Sequence, residues 1–538
     1  MTTGPNLNPG QVLPVSRRLS RAPDPMELFA RITGDGTRPD TLLLESADSV
    51  RGVGLRSILV TGCAVRASCT GREVRLEALS ANGASTLPYL ARELKKVGHL
   101  KKRDDVLIFE PAAGEEIVNE SDRLRAPSCL DAVRAMTLGW QVVTSPGPLS
   151  MICPGVFAYD FVEHFEALPP TTAESVEFPD FVFWLPEEMV VIDHESRRAT
   201  AFRHVYGGAN AHASYHEAAR GIEALSASIA AAPEKGPHSV PRARGNVGEH
   251  PDVEVDLDDA TFGGLVEELR EHIFAGDIFQ AVVSRTFRAP CTDPLKAYGR
   301  LRVGNPSPYM FYVRMGEDTL FGASPETSVR VTGQPLQVEI CPIAGTRRRG
   351  FAPDGSIDPD LDGRMEADLR LDAKELAEHM MLVDLARNDV ARVSRPGTRL
   401  VTRLLGVDRY SHVMHLVSHV RGDLAADLDA LHAYVGSMNM GTLVGAPKVR
   451  AAELIRGLEC DRRGPYGGAV GYLTPDGQMD TAIIIRSALV QNNVAYVRAG
   501  AGVVADSDPV AEAEESRRKA QAVLRALVPE SSPSKEAL

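Results

Sequence analysis

The sequence predicts a mixed α+β fold, and three observations predict it. Strand-like runs pair locally: residues 469–473 and 481–490 flank Thr474-Pro475-Asp476-Gly477, a strong hairpin turn. Helical stripes separate other strands: Phe262, Leu265, Val266, Leu269 and Ile273 recur at helical spacing and stop near Gly276. The chain has 538 residues, 43% of them hydrophobic, enough for two domains or one large interwoven body. Strands that occur both in hairpins and between helices read as α+β.

Taken in order, residues 1–25 carry Pro5, Pro9, Pro14, Pro23 and Pro25 and read as an irregular segment. Residues 41–46, 57–66 and 73–79 are apolar runs of strand length. Residues 129–142 read as a helix. Residues 151–161 and 181–193 read as buried strands, with a turn at Pro186-Glu187-Glu188. An Ala-rich helix covers 211–232. Residues 233–251 mix Pro, Gly and charge without periodicity, as a linker does. It divides an N-terminal lobe, 26–232, from a catalytic lobe, 252–525, followed by a tail at 526–538. No fixed-period repeat occurs.

Composition narrows the function. A net charge of −13 argues against a nucleic-acid partner, whose phosphates need a basic face. Seven scattered cysteines without a CxxC argue against a disulfide framework or a zinc site. The N-terminus has no apolar signal core, and no run of about 18 apolar residues exists. A reducing cytoplasm is the expected location.

The chemistry centres on residues 374–389, a strong helix former with Leu376, Met380 and Val383 at core-facing spacing. Glu375 and Glu378, three apart, project from one face. A second pair, Glu512 and Glu515, follows Asp508 as N-cap and Pro509 at the first helical position. Two such helices can face each other across a Mg²⁺, a hard cation that takes oxygen ligands. A solvated helix face is the ordinary alternative for either pair.

Further along, Arg486 lies in an otherwise apolar run and needs an anionic partner, internal or from a substrate carboxylate. The turn at 341–350 (CPIAGTRRRG) is either a carboxylate cradle or a basic surface turn. Small residues at 499–504 (AGAGVV) let a ligand approach the backbone. His412 and His415 are acid–base candidates near neutral pH. Residue types alone give a Mg²⁺-dependent enzyme acting on a small carboxylate.

With its motifs in order, the chain resembles the chorismate-utilising enzymes, most closely the large subunit (component I) of anthranilate synthase. The matching stretches are LLLES at 42–46, NPSPYM at 305–310, FGASPE at 321–326, PIAGT at 342–346 and ELAEHMMLVDLARND at 375–389. DRYSHVMHLVS at 408–418, MNMGTLVGAPK at 438–448, YGGAVGY at 466–472 and GAG at 500–502 complete the series. Each is weak alone; together, in family order, they are specific.

The resemblance implies a large α/β sandwich of two face-packed sheets with helices outside, the N-terminal lobe contributing to that body. It implies Mg²⁺ at Glu378 and Glu515, with Glu375 and Glu512 in the same cluster. It implies chorismate contacts at Gly345, Thr346, Tyr466, Arg486, Gly500, Ala501 and Gly502, acid–base roles for Glu326 and His415, and Thr442 beside the ring. Glu45, Ser46, Pro308, Tyr309 and Met310 match a tryptophan pocket. The expected partner is a glutamine amidotransferase subunit (component II) that supplies ammonia, in a heterotetramer of two large and two small subunits. Rival readings are aminodeoxychorismate synthase, isochorismate or salicylate synthase, and a tryptophan-binding regulatory module without activity. Family members that activate water carry a lysine where this chain has Gln280, and typical aminodeoxychorismate synthases carry one where it has Ala344. Neither residue can act as base or nucleophile.

Overall fold

A computed structural model describes residues 5–46, 56–112, 119–147, 149–172, 176–233, 252–410 and 413–528. The expected linker beyond Pro233, the tail beyond Val528 and His412 lie outside these residues.

Among the described residues, 24 strands form one continuous hydrogen-bonded network. All pairings are antiparallel except a short parallel one between Gln11-Val12 and Gln141-Val142. The two halves of the chain share this network. Thr41–Glu45 pairs with Tyr309–Met315, and Cys153–Phe157 pairs with Ala469–Leu473.

The core shows how the layers stack. Leu42, Val60, Trp184, Phe311, Leu320 and Ile484 belong to a buried cluster to which no helix contributes, so sheet faces pack on each other there. Separate clusters join the outer faces to helices. Pro25–Thr33, Ala211–Ala231, Pro294–Gly304 and Pro509–Leu527 cover one region; Asp259–Phe274 and Lys448–Glu459 cover another. This is the expected α+β sandwich with helices outside.

Local outcomes differ from the sequence expectation in four places. Of the segment expected to be irregular, Gln11–Leu19 is a strand paired with Arg198–Tyr206, and Pro14 sits within it. Residues 181–193 form one strand without a turn. At Pro186–Glu188 the register to Arg56–Thr70 shifts, so a bulge replaces the turn. The helix expected over 129–142 ends at Thr137. Residues 481–490 are two strands, Met479–Ile483 and Ser487–Gln491, with a break between them.

Candidate active site

That break builds the site. Ser324 ends the strand paired with Ser487–Gln491, and Thr327 starts the strand paired with Met479–Ile483. Two facing interruptions, Pro325-Glu326 and Ile484–Arg486, therefore lie side by side. Ile483 N–H donates to Glu326 O at 3.1 Å and Ala323 N–H to Arg486 O at 3.1 Å. Arg486 adopts φ +51°, a region bulky residues enter only when their surroundings hold them there. Both side chains enter a cavity of about 710 Å³.

One wall is the helix Ala373–Val393, started by Asp372, whose carboxylate accepts from Lys374 N–H (2.9 Å) and Glu375 N–H (3.1 Å). Its core-facing side is His379, Leu382, Val383 and Ala386. Met380, expected inward, is 42% exposed. The opposite wall is Pro509–Leu527, capped by Asp508 accepting from Ala511 N–H at 2.9 Å. Glu375, Glu378, Glu512 and Glu515 all line the cavity. Burial, aided by Glu375, Glu512 and Glu515 against the relief from Lys374, pushes the Glu378 carboxyl up to about 6. Burial also raises Glu512. Arg347 Nη1 holds Glu375 at 3.0 Å, and Lys519 Nζ holds Glu515 at 2.7 Å. Four carboxylates gathered on one cavity, two of them raised by burial and by acidic neighbours, form an oxygen-donor set that fits a hard cation such as Mg²⁺.

Glu326 is a different carboxyl. It is buried, Thr442 Oγ1 donates to its Oε1 at 2.9 Å, and burial pushes its pKa up to about 8. At neutral pH it holds a proton. His415 reaches the cavity from the strand Val413–Asp423, opposite Thr346. Its Nδ1 lies 2.9 Å from Thr346 Oγ1 and 3.2 Å from Gly345 O. A carbonyl only accepts, so Nδ1 carries the hydrogen and Nε2 is the basic nitrogen of the neutral ring. Gly345 sits at a register shift with φ +77°, and a Cβ there would lie 3.1 Å from Glu375 Oε2. Glycine lets the strand turn its carbonyl towards His415 beneath the acidic helix.

The Arg486 guanidinium has no hydrogen bond or ion pair to another described residue; its pKa is lowered by burial, against the pull of Tyr466 and Glu515. It thus leaves its strand at a kink and faces the cavity as an unmatched cation, where an internal acidic partner was the alternative. Gly500 and Gly502 line the cavity, but their smallness also serves strand packing: a Cβ at Gly500 would meet Val283 O at 2.3 Å. Ala501 is not brought in; its side chain packs under Asp259–Phe274 with Phe262 and Val266. Lys519, which sequence reasoning missed, bonds Gly500 O at 3.0 Å. Its position one turn after Glu515 was the available signal. Gln280 and Ala344 also line the cavity.

A second cavity, about 360 Å³, is lined by all five residues of the expected tryptophan pocket, with Tyr472 and Asp480 opposite. The Glu45 carboxylate is already engaged, by Tyr298 OH at 2.5 Å and Arg302 Nε at 2.8 Å. Tyr309 OH donates to Asp480 at 2.9 Å. No helix among the described residues is long and apolar enough to cross a membrane.

Residues 100–525 match the family model of chorismate binding enzymes. Anthranilate synthase component 1 of Vibrio cholerae is 48% identical over 94% of both chains, and that of Escherichia coli is 48% identical with the same coverage. Among solved structures, anthranilate synthase component I of Streptococcus pneumoniae superposes with a TM-score of 0.64 at 27% identity, covering 89% of this chain and 93% of that one. The menaquinone-specific isochorismate synthase of Escherichia coli shares the fold, with a TM-score of 0.64 at 18% identity over 97% and 96%. The chain belongs to the chorismate-binding enzymes and, within them, to the anthranilate synthase component 1 family.

Proposed function

We infer that this chain is a lyase that converts chorismate and ammonia to anthranilate and pyruvate, the committed step towards tryptophan. The observation that carries the reading is the pairing, in one cavity, of a protonated carboxyl at Glu326 with an unmatched guanidinium at Arg486. Glu378, Glu515, Glu375 and Glu512 would hold Mg²⁺, which supplies a positive charge for the ring carboxylate. Arg486, with Thr346, Tyr466 and the backbone at Gly345, Gly500 and Gly502, receives the enolpyruvyl carboxylate. Thr442 keeps Glu326 beside the ring.

Ammonia forms a bond to ring C2, the two double bonds shift, and the C4–O bond breaks. Glu326 gives its proton to the departing hydroxyl, which leaves as water, and the proton released by the new C2 ammonium group replaces it. His415 Nε2 then takes the C2 proton. The C3–O bond breaks, enolpyruvate leaves and becomes pyruvate, and the ring is aromatic. Gln280 and Ala344 offer neither a base for water nor a competing amine, so ammonia is the nucleophile.

Residues 26–232 act as a lobe carrying the tryptophan site, 233–251 as linker, and 252–525 as the catalytic lobe. Tryptophan bound at Ser46, Pro308, Tyr309 and Met310, with Glu45 in the wall, inhibits by preferring one of two conformations. A component 1 name implies a second component in the relatives. For this chain we propose a glutamine amidotransferase in a heterotetramer of two large and two small subunits. The test is the purified chain with chorismate and ammonium, with and without Mg²⁺. Pyruvate and a fluorescent aromatic product should appear together, and only with Mg²⁺. Tryptophan binding with no turnover under any condition would leave a regulatory module instead.

A further inference from the structure

Outside the acidic cavity, the fold gathers two cysteines, a histidine and an aspartate that lie far apart in sequence and line neither cavity described above. Cys69 is the penultimate residue of the strand Arg56–Thr70, and Cys129 is the N-cap of Leu130–Thr137. His164 ends the 3₁₀ turn Tyr159–His164, and Asp180 directly precedes the strand Phe181–Asp193. One ligand atom each of Cys69, His164 and Asp180 lies within 4.8 Å of the other two. The Cys129 thiol points at Gly71 O at 3.7 Å, the same carbonyl that the Cys69 thiol meets at 3.3 Å, which brings a second cysteine beside the trio. The two thiols and Asp180 are buried; the His164 side chain, 14% exposed, is the edge that reaches solvent.

We propose that Cys69, Cys129, His164 and Asp180 form a structural zinc site. Zinc takes four ligands of this kind in tetrahedral geometry, at about 2.3 Å for sulfur and about 2.0–2.2 Å for nitrogen and oxygen. Those bonds put ligand atoms roughly 3.3–3.8 Å apart; Cys69, His164 and Asp180 already lie within 4.8 Å of one another, and Cys129 would draw in to join them. The charge also balances. Two thiolates and one carboxylate are offset by the ion together with Arg462, whose Nη2 holds Asp180 Oδ1 at 2.5 Å. Gly71 N–H donates to Asp180 Oδ2 at 2.8 Å and fixes the carboxylate from behind. The Phe161 ring, 4.8 Å from that of His164, gives the site an apolar wall. Nothing in local spacing announces such a site, because the ligands come from four elements. Glu339, Cys341 and His419 form a second trio with one thiol, in which Arg421 Nε and His419 Nδ1 share Glu339 Oε1 at 2.7 and 3.0 Å.

The test uses the full chain loaded with Zn²⁺, dialysed against Mg²⁺ buffer, and separately loaded with Co²⁺. The expected result is a single zinc retained per chain. Co²⁺ should give a thiolate-to-metal charge-transfer band with strong tetrahedral ligand-field bands. Cys69→Ser and Cys129→Ser should each weaken zinc binding at least tenfold and diminish the charge-transfer band; Cys341→Ser should change neither. Loss of all zinc on dialysis, or a Co²⁺ spectrum without charge transfer, overturns the proposal. So does a disulfide between Cys69 and Cys129 in the zinc-loaded chain, read as a mass two hydrogens lighter and resistance to alkylation. The cobalt spectrum of the unaltered chain decides even if the serine variants do not fold.

Discussion

At the residue scale, the site depends on groups held away from their ordinary ionisation. Glu326 is useful because it is protonated, and its raised pKa of about 8 sets the direction of the pH dependence. The acid is present below that value and lost above it, so kcat should fall as pH rises through about 8. Glu326→Gln keeps the shape but has no proton to give, and should lower kcat by about 10²–10⁴, the usual worth of a general acid. A kcat–pH profile for both proteins checks this; an unchanged profile in the variant would remove Glu326 from the chemistry. Arg486 is the complementary case, a half-buried guanidinium with no side-chain partner among the described residues, whose desolvation costs stability in the free protein. Arg486→Met should raise the melting temperature. It should also cut kcat/KM about a hundredfold, from the loss of roughly 3 kcal/mol of charged hydrogen bonding. A variant both less stable and still active would mean that Arg486 serves the fold. The sequence made Arg486 conspicuous as a lone charge in an apolar run. It could not show that the strand breaks there, because the break depends on the facing interruption at Pro325-Glu326.

At the element scale, two helices carry the acidic pairs, and both were legible. Asp508-Pro509 opens one of them as its cap and first turn suggest, and the residues of 374–389 lie within the other. Their mutual approach was not legible, since it is set by sheets whose pairings span hundreds of residues. Asp508→Ala removes the cap of Pro509–Leu527 and should cost about 1 kcal/mol. Because the cap fixes the turn that carries Glu512, the Mg²⁺ concentration for half-maximal activity should rise more than the loss of stability explains. Denaturant unfolding and a Mg²⁺ titration on the same sample separate the two effects. Glu378, raised to about 6, adds a pH signature: protons compete with the cation, so apparent Mg²⁺ affinity should weaken as pH falls through about 6. Glu378→Gln should abolish turnover without unfolding the chain. The misread elements have physical causes as well. Pro14 suggested irregularity, yet Gln11–Leu19 forms a strand because tertiary pairing with Arg198–Tyr206 outweighs local propensity.

At the scale of the whole molecule, the N-terminal half supplies Thr41–Glu45 to the same sheet as Tyr309–Met315. The second cavity lies against that shared seam, with hairpin residues such as Tyr472 and Asp480 on its far side. The same hairpin strand, Met479–Ile483, leads directly into the kink at Arg486. A ligand that reshapes the seam therefore has a short covalent path to the substrate cation. Tryptophan should lower turnover in the unaltered chain, and Ser46→Ala should raise the inhibitory concentration while leaving uninhibited kcat near normal. Equal inhibition of both would move the regulatory site elsewhere.

The central claim is that this cavity delivers ammonia to ring C2. The most direct measurement is nuclear magnetic resonance of the product formed from chorismate, Mg²⁺ and ¹⁵N-ammonium. The expected result is label in an amine ortho to the carboxylate of an aromatic ring, released with an equal amount of pyruvate. Label at C4 of a non-aromatic ring, or an unlabelled isochorismate, would contradict the account.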